Sequence, residues 1–200
     1  MIAIIDYKAG NALSVLHAVK HLGYSAKLVK KPKEIAEATH IILPGVGSAK
    51  ATMESLQEMS IIKALEDVVL NKKTLFLGIC VGLQILFEHS EEDDVDCLGW
   101  LKGQVVKFNS YKVRVPQMGW NYVEFIKDAP NKEVNDFFYF VNAYYAKPKD
   151  EADLWGYSKY DGWFAAAVCR DNIYGTQFHI EKSGEAGLAL LSGFLGRERS

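Results

Sequence analysis

Apolar runs and helical spacings alternate along the first half of the chain. Ile2 to Ile5 is uniformly apolar, the pattern of a strand buried on both faces. Leu13, Leu16, Val19 and Leu22 recur at helical spacing within residues 12–22, and Gly23 stands where a helix would stop. Residues 26–29, 40–43 and 74–77 read as strands, and 61–70 as a helix. The rhythm predicts an α/β fold with a mostly parallel central sheet and helices on both faces. The second half is richer in strands, expected at 105–108, 137–141, 164–169 and 173–177. Asp171-Asn172 separates the last two as a hairpin turn. A helix over 184–194 closes the chain. No repeat, low-complexity tract or linker interrupts it, so residues 1–200 read as one domain.

Composition narrows the classes. A chain of 200 residues, 49% of them hydrophobic, can close one core that buries roughly 70% of its unfolded surface. A net charge of −2 and a pI near 6.2 argue against a nucleic-acid or anionic-membrane surface, which needs clustered Lys and Arg. The acidic run Glu91 to Asp94, resumed at Asp96, reads on its own as a solvated loop. Three scattered cysteines do not make a disulfide framework. The N-terminus lacks a basic leader, and no apolar stretch approaches the roughly 20 residues of a membrane span. The expected compartment is the cytoplasm.

The candidate chemistry begins at Leu75-Phe76-Leu77-Gly78-Ile79-Cys80-Val81-Gly82. An apolar run, two glycines flanking a cysteine and a following helical stretch form the sulfur version of a nucleophile elbow. A thiol at a helix N-terminus is drawn toward thiolate, its nucleophilic form. The competing reading is a buried, inert cysteine; Cys97 and Cys169, without flanking glycines, fit that description better. His179 follows the strand at 173–177, and Glu181 lies two residues on, expected on the same side of an extended chain. Thiol, imidazole and carboxylate would then act as nucleophile, base and orienter. The N–H of Val81 would face an oxyanion formed at the sulfur. Pro44-Gly45-Val46-Gly47 follows another strand and reads either as the second oxyanion donor or as an ordinary turn.

These segments resemble the class I (triad) glutamine amidotransferases, over essentially the whole chain and most closely their imidazole glycerol phosphate synthase glutaminase branch. The resemblance rests on Asp6-Tyr7 with Gly10-Asn11, Pro44 to Gly47, the elbow extended to Gln84, Ser90-Glu91-Glu92, Met118-Gly119-Trp120-Asn121, Phe138 to Val141, and Tyr174-Gly175 leading to His179, Glu181, Lys182 and Ser183. It implies a flavodoxin-like sheet and hydrolysis of glutamine through a Cys80 thioester, with His179 as base and then acid and Glu181 as its orienter. It places the oxyanion hole at Val46, Gly47 and Val81. Glutamine would be held by Gly45, Gln84, Glu92, Asn142, Ala143 and Tyr144, which displaces the solvated reading for Glu92. It implies no cofactor and no metal. It also implies a partner, a (β/α)8-barrel cyclase that receives the ammonia in a heterodimer for histidine biosynthesis. Asn11, Met118, Trp120, Tyr139 and Lys182 match positions near that interface; from the residues alone they are as readily core.

The chain departs from the family pattern at Lys8, Gln117, Asn142, Ala143 and Ile180, where Gly, His, a His-Ser pair and Pro are usual. These positions cluster at the substrate wall and the partner face. Two other readings stay open: a paralogue feeding ammonia to surface-sugar amination, and a non-catalytic module that keeps the elbow cysteine as a redox sensor.

Overall fold

The computed structural model describes residues 1–7, 11–127 and 135–197. Lys8 and Gly10, singled out above, lie outside them. Strands β1 (Ile2–Ile5), β3 (His40–Leu43) and β4 (Leu75–Ile79) are buried throughout, as their apolar runs require, while β2 (Ala26–Val29), at the edge, buries its two end residues and exposes Lys27. They pair in parallel in the order β2-β1-β3-β4. Between them run helices α1 (Ala12–His21), α2 (Pro32–Ile35), α3 (Ala49–Glu58) and α4 (Ile62–Glu66). The chain moves one way from β1 to β2 and the other way from β2 to β3 and β4. Right-handed crossovers therefore put α1 on one face and α2 to α4 on the other. The helix expected over 61–70 is present, but its second half, Asp67–Asn71, widens into a π turn. After β4 comes the short helix α5 (Val81–Gln84).

The second half holds nine strands among the described residues: β5 (His89–Ser90), β6 (Val95–Asp96), β7 (Gly103–Lys107), β8 (Gln117–Phe125), β9 (Asp136–Asn142), β10 (Tyr144–Pro148), β11 (Leu154–Lys159), β12 (Trp163–Arg170) and β13 (Ile173–Thr176). The hairpin between β12 and β13 forms as expected, with Asp171 at φ 52° in its turn. β13 then inserts parallel to β4 and completes the central sheet. On the far side of β13 the sheet continues through antiparallel β12, β10 and β7. A branch through β11 carries the β8–β9 ribbon. The closing helix α6 (Gly184–Leu195) packs against α1 and β9.

An aromatic cluster binds this ribbon to the main sheet. Phe138 and Phe178 have ring centroids 4.2 Å apart, and Phe125, Phe140 and Trp155 close around them. Phe178 immediately precedes His179, so the packing of the ribbon fixes where that histidine sits. Among the described residues no helix is long and apolar enough to cross a membrane.

Candidate active site

Parallel pairing of β4 and β13 sets Ile79 beside Thr176. Both strands end there, so the residues that follow emerge at the same edge, where open α/β sheets bind ligands. The Cys80 N–H donates to the Thr176 carbonyl at 2.7 Å. This holds Cys80 at φ 55°, ψ −109°, a strained conformation for a residue with a side chain. The sharp turn requires its glycines: a methyl group on Gly78 would strike the Gly82 backbone, and one on Gly82 would strike the Leu43 carbonyl. α5 spans only four residues, so its dipole acts on the thiol less than the expected helical stretch would.

The sulfur, imidazole and carboxylate lie together. His179 Nδ1 sits 2.9 Å from Glu181 Oε1, with both side chains almost fully buried. The extended alternation expected from His179 to Glu181 is not what joins them. Ile180–Lys182 is a 3-10 turn, and its tighter curl brings the carboxylate back to the ring. Burial opposes a charged imidazole, but hydrogen bonds and charge from Cys80 and Glu181 outweigh it and push His179 up to about 10. Burial likewise opposes the charged Glu181 carboxylate. The hydrogen bond and charge of His179, aided by the Asn11 amide, still hold it below the ordinary range.

Cys80 is itself buried, at 4% exposure, whereas Cys97 and Cys169 are half-buried. Burial alone would have marked the wrong cysteine as inert. Surroundings separate them: burial pushes Cys97 up to about 11 and raises Cys169 as well, which keeps both as thiols.

A cavity of about 220 Å³ opens on the sulfur, bounded by Val46, Gly47, Val81, Gln84, Glu92, residues 141–144 and His179. Most of the positions expected around a substrate therefore meet in one place. Gly47 holds φ +98°, a turn that favours glycine. The acidic run divides. Glu92 reaches the cavity wall, accepts from the Ala49 N–H at 3.0 Å and is raised by burial, while Asp93 and Asp94 turn outward. Gln84 lies in the wall with its amide nitrogen engaged by the Tyr144 carbonyl at 3.0 Å and Gln177 Oε1 at 3.1 Å.

Two residues near the thiol carry no site role in the reading of the sequence. Gln177 Nε2 lies 3.7 Å from Cys80 Sγ; the alternation that puts it on the side of His179 was the available signal. Tyr7 is buried with its hydroxyl 3.5 Å from Thr52 Oγ1, pushed up to about 12 by burial with the Cys80 charge adding. It stands in the Asp6-Tyr7 pair that carries part of the resemblance, without a role attached to it.

The positions expected at a partner face divide too. Met118 and Trp120 are 67% and 56% exposed, with Trp120 edge-on to Tyr139 at 5.9 Å. Lys182 is exposed as well. Asn11 is no surface residue: it is 3% exposed, and its amide donates to Glu181 Oε1 at 3.2 Å. The carboxylate that fixes His179 draws it inward.

Comparison with known proteins agrees with this geometry. The model of the family "Glutamine amidotransferase class-I" matches residues 3–195. The chain belongs to this family. Among its relatives is "Imidazole glycerol phosphate synthase subunit HisH" of Leptospira interrogans, 44% identical over 97% of this chain and 98% of that one. A protein named HisH 2 in Methanococcus maripaludis is 42% identical over 98% of each. Solved structures share the fold at lower identity. A glutamine amidotransferase superposes with a TM-score of 0.77 at 18% identity over 96% of both chains. PurLQS from Thermotoga maritima gives 0.76 at 20% identity over 97% of this chain and 96% of that one.

Proposed function

We propose that this amidotransferase is the glutamine-hydrolysing subunit of an imidazole glycerol phosphate synthase. The observation that carries the reading is the buried Cys80, His179 and Glu181 constellation opening on one cavity, in a chain whose HisH relatives match it from end to end. In this reading Cys80 attacks the side-chain amide of glutamine. His179 takes the thiol proton as the sulfur attacks, and Glu181, itself held by the Asn11 amide, keeps the imidazolium in place. The Val81 N–H and the Val46-Gly47 turn receive the developing oxyanion. Collapse of the adduct expels the nitrogen, which takes its proton from His179, and leaves a glutamyl thioester. Water activated by His179 then releases glutamate. Glu92, with Asn142, Ala143 and Tyr144, forms the wall against the substrate's polar end.

The ammonia passes to a barrel-shaped cyclase subunit docked on the face of Met118, Trp120, Tyr139 and Lys182. Exposed aromatic side chains of this kind carry much of the energy of a protein interface. The chain works in the cytoplasm as one half of a heterodimer. The test is Cys80→Ala assayed with glutamine in the presence of the cyclase. Glutamate formation should fall about a thousandfold or more, as when an enzyme loses its nucleophile; retained activity removes Cys80 from the role. The isolated chain should turn glutamine over slowly, and equal rates with and without the partner would refute that dependence.

A further inference from the structure

Gln177 reaches the catalytic sulfur from the side away from the substrate. It is fully buried, it does not line the Cys80 cavity, and its Nε2 lies 3.7 Å from Cys80 Sγ, a hydrogen-bonding distance for an atom as large as sulfur. Its backbone is fixed, since its N–H donates to the Ala166 carbonyl at 2.8 Å just past the pairing of β13 with β12.

The amide can face the sulfur in only one sense. The Tyr144 carbonyl can only accept, so the end of Gln84 that meets it at 3.0 Å is the amide nitrogen. That nitrogen also lies 3.1 Å from the end of the Gln177 amide, and has to meet its oxygen there. The Gln177 N–H is thereby left pointing at the sulfur. Asn142 Nδ2 donates to the same Tyr144 carbonyl at 2.9 Å, which ties that oxygen down. Turning Gln177 over would set nitrogen against nitrogen on one side and an oxygen against the sulfur on the other. The Val141 carbonyl, 3.9 Å from Sγ, can only accept and offers a charged sulfur nothing.

We propose that Gln177 is a catalytic hydrogen-bond donor that stabilises the negative charge on Cys80 Sγ each time the sulfur enters or leaves the thioester, and that Gln84 is the positioning residue that aims it. The inference rests on the glutaminase reading above. When His179 takes the thiol proton, the S–H electron pair stays on the sulfur. In the second half of the reaction water gives a proton to His179 and its oxygen adds to the thioester carbonyl. The C–S bond then breaks, its electron pair returns to the sulfur, and the proton on His179 restores the thiol. Gln177 forms no covalent bond and gives up no proton. Its hydrogen bond is weak to a neutral sulfur and strong to a charged one, and only such a difference lowers a barrier. In a buried site no water competes for the donor.

The experiment measures steady-state glutamine hydrolysis by the complex with the cyclase. Gln177→Met keeps the side-chain length and removes the donor. Gln177→Glu keeps the shape and the oxygen that Gln84 uses, but turns a second oxygen toward the sulfur. In both variants kcat should fall about tenfold, the lower end of what a hydrogen bond to a charged group supplies. KM should stay within about twofold of the wild-type value, because Gln177 makes no uniform contact with the substrate. Wild-type turnover by Gln177→Glu would show that the side chain merely anchors Gln84, and overturns the proposal. A KM that rises in step with the fall in kcat overturns it too. Gln177→Asn keeps the amide but draws it back by one methylene, and covers the case in which the other two do not fold. It should lose the same factor, and full activity there likewise overturns the proposal. A wild-type complex that releases no glutamate from glutamine would instead overturn the functional reading itself.

Discussion

His179 is held in its charged form by two neighbours acting against its burial. Hydrogen bonds and charge from Cys80 and Glu181 raise it, and desolvation lowers it. Removing either neighbour leaves the lowering influence in place, so the histidine must titrate at lower pH. In NMR titrations the His179 ring should move down from about 10 in both Cys80→Ala and Glu181→Gln. An unchanged midpoint in both would show that its charge has another origin. At this scale the sequence disclosed what flanking glycines and short spacings can disclose: Cys80 from Gly78 and Gly82, and His179 with Glu181. The places of Gln177 and Tyr7 beside the thiol, and the inward turn of Asn11, were not legible. Each contact depends on segments far apart in the chain meeting at the edge of the sheet, as when Asn11 reaches Glu181 across 170 positions.

Elements with a single buried stripe or an unbroken apolar run were legible, and β1 to β4, α1, the β12–β13 hairpin and α6 all lie close to their expected places. β8 was missed for a physical reason. Its outward residues Met118, Trp120 and Tyr122 are the large apolar ones, while Gln117 points in. The usual alternation is thereby inverted. β10 and β11 mix half-buried and buried positions and give no clean period. α3 is amphipathic and capped by Ser48, whose Oγ accepts from the Ala51 N–H at 3.3 Å, but the turn before it drew attention instead. The junction of β4 with α5 carries a strong prediction. Gly82→Ala drives a methyl group into the Leu43 carbonyl, and backbone cannot swing aside as a side chain can. Urea denaturation should show a loss of about 3 kcal/mol or more, in the range of severe overpacking. Gly47→Ala has open space around it and should lose only about 1–2 kcal/mol, from its positive φ alone. Equal losses at the two positions would contradict the packing described.

Across the whole molecule, the reactive edge and the exposed aromatic ribbon are separate surfaces on one sheet. Met118, Trp120, Tyr122 and Phe137 all stand more than 40% exposed on β8 and β9. A large exposed apolar patch commonly marks a binding surface. Trp120→Ala should leave the stability of the chain within about 0.5 kcal/mol, as surface changes do. Calorimetric titration should show affinity for the cyclase weakened about 30-fold, as at an interface hot spot. Unweakened binding would move the docking face elsewhere. The overall architecture was legible because strands and helices alternate early. The antiparallel extension was not, because its order depends on pairings between segments far apart in sequence. The meeting of Gly45, Gly78 and Gly82 has one more consequence. The turn after β3 and the elbow after β4 touch backbone to backbone, so neither can be altered alone. In a saturation library selected for glutamine hydrolysis, these three positions should admit glycine only, while 118, 120 and 122 accept many residues. Lineages built on this scaffold can therefore change the recipient of the nitrogen along β8 and β9 while the part that liberates it stays frozen.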